Sequence, residues 1–122
     1  MMTTKHINYI EFPASDLDAT KKFFEDVFDW EFQDYGPDYI AFNNAGVEGG
    51  FFRADLASTT QTGGALIVLF TDSIEASVAK VQECGGTITR AIFEFPGGRR
   101  FHFTEPSGNE LAVWSNILDA AS

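Results

Sequence analysis

The feature that most restricts how this chain can fold is that its order of elements runs twice. "HINYIEF" at 6–12 is rich in β-branched and aromatic residues and stops at Pro13, which predicts a strand ending in a turn. "SDLDATKKFFEDVFDW" follows, with Ser15 or Asp16 placed to cap a helix. Its residues Leu17, Thr20, Phe23, Phe24, Val27 and Phe28 recur at spacings of three and four to give one buried stripe. The short runs "WEFQDY", "DYIAFNN" and "EGGFFRAD", separated by Gly, Pro and Asn, read as three strands of an antiparallel meander. After the polar connector "LASTTQTGG" (56–64) the pattern restarts. A strand "ALIVLFT" leads to a helix from Asp72 or Ser73, with Ile74, Val78 and Val81 on one face and a stop at "CGG". The runs "TITRAIF", "RRFHFTE" and "NELAVWS" complete the second round.

Self-similarity at about half the chain length is the mark of a duplicated unit. The expected fold is therefore α+β, with two βαβββ units at about 6–55 and 64–118 sharing one domain across residues 1–122. In such a unit one helix covers one face of the sheet and leaves the other bare. Two bare faces brought together enclose a cavity, the usual setting for a small ligand.

Composition narrows the partners. With 44% apolar residues, thirteen Phe and 21% charged residues, the chain has ample material for a core. Its net charge of -10 repels the phosphates of nucleic acid and of anionic lipid; it suits a neutral or cationic small molecule, and equally serves only to keep the chain soluble. The run "ALIVLF" (65–70) is far shorter than the roughly 20 residues that span a bilayer. A single cysteine, Cys84, and an N-terminus without the apolar stretch of a secretory signal give a cytoplasmic expectation.

Three stretches carry a resemblance: "SDLDATKKFFEDVFDWEF", "TDSIEASVAKVQECGGTITR" and "FTEPSGNELAVW". In this order and spacing they resemble the vicinal oxygen chelate superfamily, which includes glyoxalase I, extradiol dioxygenases, fosfomycin-resistance enzymes and bleomycin-binding proteins. The resemblance implies paired βαβββ units, a homodimer and, in metal-dependent members, a divalent ion held by residues of the first and last strands of each half. In those members a ligand Glu stands four residues after the turn glycine; here the glycine is Gly108 and the fourth residue on is Ala112. "ALIVLF" has no donor side chain, and "GGFF" has none, with Glu48 and Asp55 placed outside that strand. Only the first strand offers candidates, His6, Tyr9 and Glu11, and alternation sets His6 apart from the other two. With three of four positions lacking donors, no cofactor is expected, and a bound divalent metal stays as the alternative.

The remaining candidates are single residues. Glu11, with Tyr9 on its face, and His102 are the candidate proton-transfer groups; for His102 the alternation with Arg100 and Thr104 is equally a solvent-facing strand face. Tyr9, Glu11, Phe51, Arg100, Glu110 and Trp114 are the candidate ligand contacts, with Glu110, Ala112 and Trp114 on one face of the last strand. "PGGRR" (96–100) reads as a hairpin turn or as a lid whose Arg99 or Arg100 meets an anion, and Cys84 reads as a packing residue. The functional expectation is metal-independent binding of a small apolar or cationic molecule between the sheets, with a glyoxalase-like lyase or isomerase acting on a small molecule, metal-dependent or not, as the alternative.

Overall fold

The computed structural model describes residues 3–117. The first half runs β1 (Tyr9–Ala14), α1 (Leu17–Phe28), β2 (Glu31–Asp34), β3 (Tyr39–Asn43) and β4 (Glu48–Arg53). A 3-10 turn at Thr60–Thr62 lies in the connector. The second half runs β5 (Ile67–Phe70), α2 (Ile74–Glu83), β6 (Thr87–Phe95), β7 (Gly98–Thr104) and β8 (Glu110–Ser115). Each half forms its own four-stranded sheet, in the order β1-β4-β3-β2 and β5-β8-β7-β6. The first and last strands of each half pair parallel, and the other neighbours antiparallel. Among the described residues no helix is long and apolar enough to cross a membrane.

Local chemistry explains the helices. The Asp16 carboxylate accepts from the Ala19 N–H at 3.0 Å and so caps the start of α1. The apolar stripe then buries Leu17, Thr20, Phe23 and Phe24 against the sheet. Phe24 stacks on Trp30 at 4.4 Å and on Phe51 at 5.5 Å, and Phe51 stacks on Phe12 at 5.2 Å. α2 begins after Ser73 and ends at Cys84, which is half-buried.

The two halves share one core. Phe103 of β7 lies 5.8 Å from Phe23 and 5.9 Å from Phe28 of α1, ring to ring. Beside this contact the β7–β8 turn docks on the start of α1 through polar groups. Thr20 Oγ1 donates to Glu105 Oε1 at 2.8 Å, the Asp16 N–H donates to Ser107 Oγ at 3.1 Å, and Asn109 Nδ2 donates to the Pro13 carbonyl at 2.7 Å. Asn109 also donates to Glu105 at 2.7 Å and accepts from the Ser58 N–H at 2.8 Å. Glu105 is 2% exposed, and burial raises its pKa against the opposing pull of the donors from Ser107, Asn109 and Thr20.

Several sequence expectations shift. β1 starts at Tyr9 and runs through Pro13 to Ala14, so His6 precedes the strand and is exposed. An edge strand tolerates this proline because one side of its ladder is unpaired. Glu48, placed outside the last strand of the first half, is its first residue and pairs with Tyr9. "PGGRR" is a two-residue hairpin turn, Pro96–Gly97, between β6 and β7. The second unit's expected end at 118 falls outside the described residues.

Candidate functional site

Alternation along each strand sorts the candidates between the helix-covered face and the open face of each sheet. On the first sheet the open face carries Tyr9 and Glu11 from β1, Glu48 and Phe52 from β4, and Tyr39 and Asn43 from β3. The Tyr39 hydroxyl donates to Glu11 at 2.8 Å and meets the Tyr9 hydroxyl at 2.6 Å. Burial and these two partners push the Tyr39 phenol far above its usual pKa, so it stays protonated. Gly50 is what lets it lie there: a Cβ at Gly50 would sit 2.1 Å from that hydroxyl. A cavity of about 430 Å³ on this face is lined by Tyr9, Gln33, Tyr35, Tyr39, Asn43 and Glu48, among others.

Phe51 does not belong to this face. It was expected to contact ligand, but it is 0% exposed and stacked between Phe12 and Phe24 in the core. Its neighbour Phe52 takes the open side, because a strand turns successive side chains to opposite faces.

The second sheet gathers the other candidates. β8 presents Glu110, Ala112 and Trp114, β7 presents Arg100 and His102, and β5 presents Val68 and Phe70. His102 is 8% exposed, which corrects the solvent-facing reading. Its Nδ1 lies 3.4 Å from Glu110 Oε2, and Glu110 Oε1 also accepts from the Thr60 N–H at 2.8 Å and the Thr60 hydroxyl at 2.9 Å. The Thr60 N–H is the main cause that lowers the Glu110 pKa, so the carboxylate stays ionised. Burial, with Arg100 and Arg90 nearby, lowers the His102 pKa.

Two residues that sequence reading passed over complete this face. β6 has register shifts on either side of Arg90, so Arg90 falls opposite His102 and Phe93 opposite Arg100 although the two β6 residues are three apart. Strict alternation would separate them, and the irregular register brings them together. The Arg90 guanidinium lies 3.6 Å over the Phe93 ring, and that of Arg100 lies 5.3 Å from Phe93 and 5.7 Å from Phe95. Trp114 meets Phe70 at 5.1 Å and Phe95 at 6.1 Å. Val68, Phe95, Arg100 and Trp114 line a cavity of about 230 Å³. Arg99, the other candidate cation of this stretch, turns to the helix side and pairs with Glu75 of α2 at 2.6 Å.

A third cavity, of about 510 Å³, lies between the halves, with Ile10 and Phe12 of β1 and Ile67–Phe70 of β5 in its walls and Phe28, Trp30 and Phe42 contributing rings. Among the described residues, none that lines it is ionisable.

The positions that would hold a divalent ion by resemblance are now placed. The first half offers Glu11 and Glu48 on one open face, while β5 offers Val68 and Phe70, and β8 offers the Ala112 methyl. Among the described residues no three of His, Cys, Asp and Glu come together as a metal-holding group. With no donor on β5 and a methyl on β8, Glu11 and Glu48 leave the four-position set of the metal-dependent members incomplete, so these residues do not fit that site.

The chain belongs to the Glyoxalase/Bleomycin resistance protein/Dioxygenase superfamily, whose family model matches residues 6–113. No curated protein sequence matches it. Among solved structures, a glyoxalase-related enzyme from Fulvimarina pelagi is similar with a TM-score of 0.76 at 14% identity, covering 91% of this chain and 88% of its own. The fosfomycin resistance protein FosX from Listeria monocytogenes, complexed with Mn(II) and 1S,2S-dihydroxypropylphosphonic acid, gives 0.74 at 17% identity, over 93% and 90%. TnmS3, an antibiotic binding protein from Streptomyces sp. CB03234, gives 0.66 at 20% identity, over 94% and 98%. At these identities the likeness is one of fold.

Proposed function

We propose that this protein binds a small, largely apolar molecule without a metal, on the open face of the second sheet. The observation that carries the reading is a half-buried Trp114 beside a cavity that Arg100 also lines, on a sheet face where two buried polar atoms, Arg100 Nε and His102 Nε2, have no hydrogen-bond partner among the described residues. Buried polar groups are ordinarily paired, and groups left open beside an aromatic wall are what a ligand site requires. TnmS3, similar in fold, is an antibiotic binding protein, which agrees with sequestration as the role.

The same reading has a second copy of the chain covering the face in a cytoplasmic homodimer. The first sheet's open side carries Glu11 and Glu48, the second's carries Arg90 and Arg100, and Phe52, Val68 and Phe70 stand exposed on these two sides. Opposite charge and exposed apolar surface suit an interface between copies. Thermal shift against a panel of cationic, neutral and anionic aromatic compounds tests the binding reading; a flat response across the panel overturns it.

One observation favours a second reading, a lyase or isomerase. Glu110 faces Nδ1 of His102 and leaves Nε2 open, the arrangement of a carboxylate-oriented general base. Turnover of a candidate substrate that His102→Gln or Glu11→Gln abolishes, with melting unchanged, would establish it.

A further inference from the structure

We infer that the open face of the second sheet takes an aromatic monoanion, one or two fused rings bearing a carboxylate. The ring lies against Trp114 and the charge against Arg100 Nε and His102 Nε2. The inference rests on the binding reading above and names its ligand class.

The net charge of the chain argues for a cation, but charge is not spread evenly. On this face stand Arg90 and Arg100, with Glu110 as the opposing carboxylate, and Glu110 is already occupied by three donors, two from Thr60 and one from His102. Within one chain, a cation here would meet two guanidiniums with no free carboxylate among the described residues of this face to offset them. An anion meets a buried Nε–H of Arg100 that lacks an acceptor among the described residues. The walls set the rest of the ligand. Trp114, Phe95 and Val68 surround about 230 Å³, somewhat under the roughly 300 Å³ at the small end of ligand pockets, which suits one or two rings.

Binding brings a proton with it. The ionised Glu110 faces Nδ1 of His102, so Nδ1 carries the hydrogen and Nε2 of the neutral ring holds a lone pair. A lone pair repels a carboxylate. For Nε2 to donate, it takes one proton from water and the ring becomes imidazolium, bridged between Glu110 and the ligand. The charged groups facing His102 are Glu110 from β8, Arg90 from β6 and Arg100 from its own strand. The two guanidiniums and burial hold the ring neutral in the free protein, and an arriving anion offsets them.

The test titrates the purified chain with 2-naphthoate, 2-naphthylmethanol and 2-naphthylmethylammonium, following tryptophan fluorescence, with calorimetry in two buffers of different ionisation enthalpy. The expected result is uptake of about one proton with naphthoate at pH values above the His102 pKa of the free protein and below that of the complex, with affinity falling towards tenfold per pH unit across that window. The alcohol and the ammonium bind at least about tenfold more weakly than naphthoate, and Arg100→Lys or Arg100→Gln weakens naphthoate by a larger factor than it weakens the alcohol. An ammonium that binds as tightly as the carboxylate, or naphthoate bound without proton uptake, overturns this inference and leaves the binding reading standing. Silence from all three probes overturns both.

Discussion

Phe51 and Phe52 are adjacent and identical in chemistry, yet one is sealed in the core and the other open to water, so their substitution separates stability from surface. Phe51→Ala removes a fully buried ring between Phe12 and Phe24 and is expected to cost about 3–5 kcal/mol in denaturant unfolding. Phe52→Ala should stay within about 1 kcal/mol. Which of the pair faces inward depends on one residue of register, and a Gly-Gly-Phe-Phe run carries no alternation to fix it; that is why Phe51 was misplaced by sequence reading. Titration offers a second contrast. The folded chain lowers the pKa of His102, which means that the fold favours the neutral ring. Stability from this group is therefore present above the ordinary histidine pKa and is lost as pH falls through the lowered folded value. Wild type should lose more melting temperature than His102→Gln between about pH 7 and pH 5. Equal losses would show that His102 is not desolvated.

At the scale of elements, α1 was legible because its cap, its apolar stripe and its aromatic pair all point to one helix. Asp16→Ala, which deletes the carboxylate that accepts from Ala19, should destabilise by about 1 kcal/mol. Asn109→Ala should cost more, about 1–3 kcal/mol, because it leaves Ser58 N–H and the Pro13 carbonyl without their partner. β6 was legible as a strand but not as a face. Its two register shifts place Arg90 and Phe93 beside His102 and Arg100, and nothing in "TITRAIF" announces an irregular register. Arg90 and Phe93 were thus hidden by a strand that departs from strict alternation, whereas on the regular strands β7 and β8 alternation alone puts Arg100, Glu110 and Trp114 on one face. Gly50 tells the same story on the first sheet. Gly50→Ala places a methyl where the Tyr39 hydroxyl lies, so it should break the Tyr39–Glu11 hydrogen bond and lower the Tyr39 pKa, readable by ultraviolet titration.

The whole molecule repeats a plan whose two halves have diverged in charge. The repetition was plain in the sequence, since Gly, Pro and Asn punctuate both halves alike. The division of charge was not, because it depends on which strand face each Glu and Arg occupies. If the two open faces meet between copies, the dimer is held partly by Glu11 and Glu48 against Arg90 and Arg100, and light scattering should show dissociation as salt rises above physiological strength. A monomer at low salt would sink that arrangement.

The polar docking of the β7–β8 turn on α1 carries a consequence for assembly. Two similar halves offer more than one way to dock, and rings such as Phe23 and Phe103 tolerate most of them because apolar contact has no direction. Glu105, Ser107 and Asn109 do not. Their partners Thr20, Asp16 and Pro13 lie at fixed points of the other half, and a half docked a few ångströms out of place strands buried donors and acceptors at about 1–3 kcal/mol each. The turn therefore works as an error check: greasy surfaces bring the halves together, and a handful of directional bonds accepts one pairing and rejects the rest.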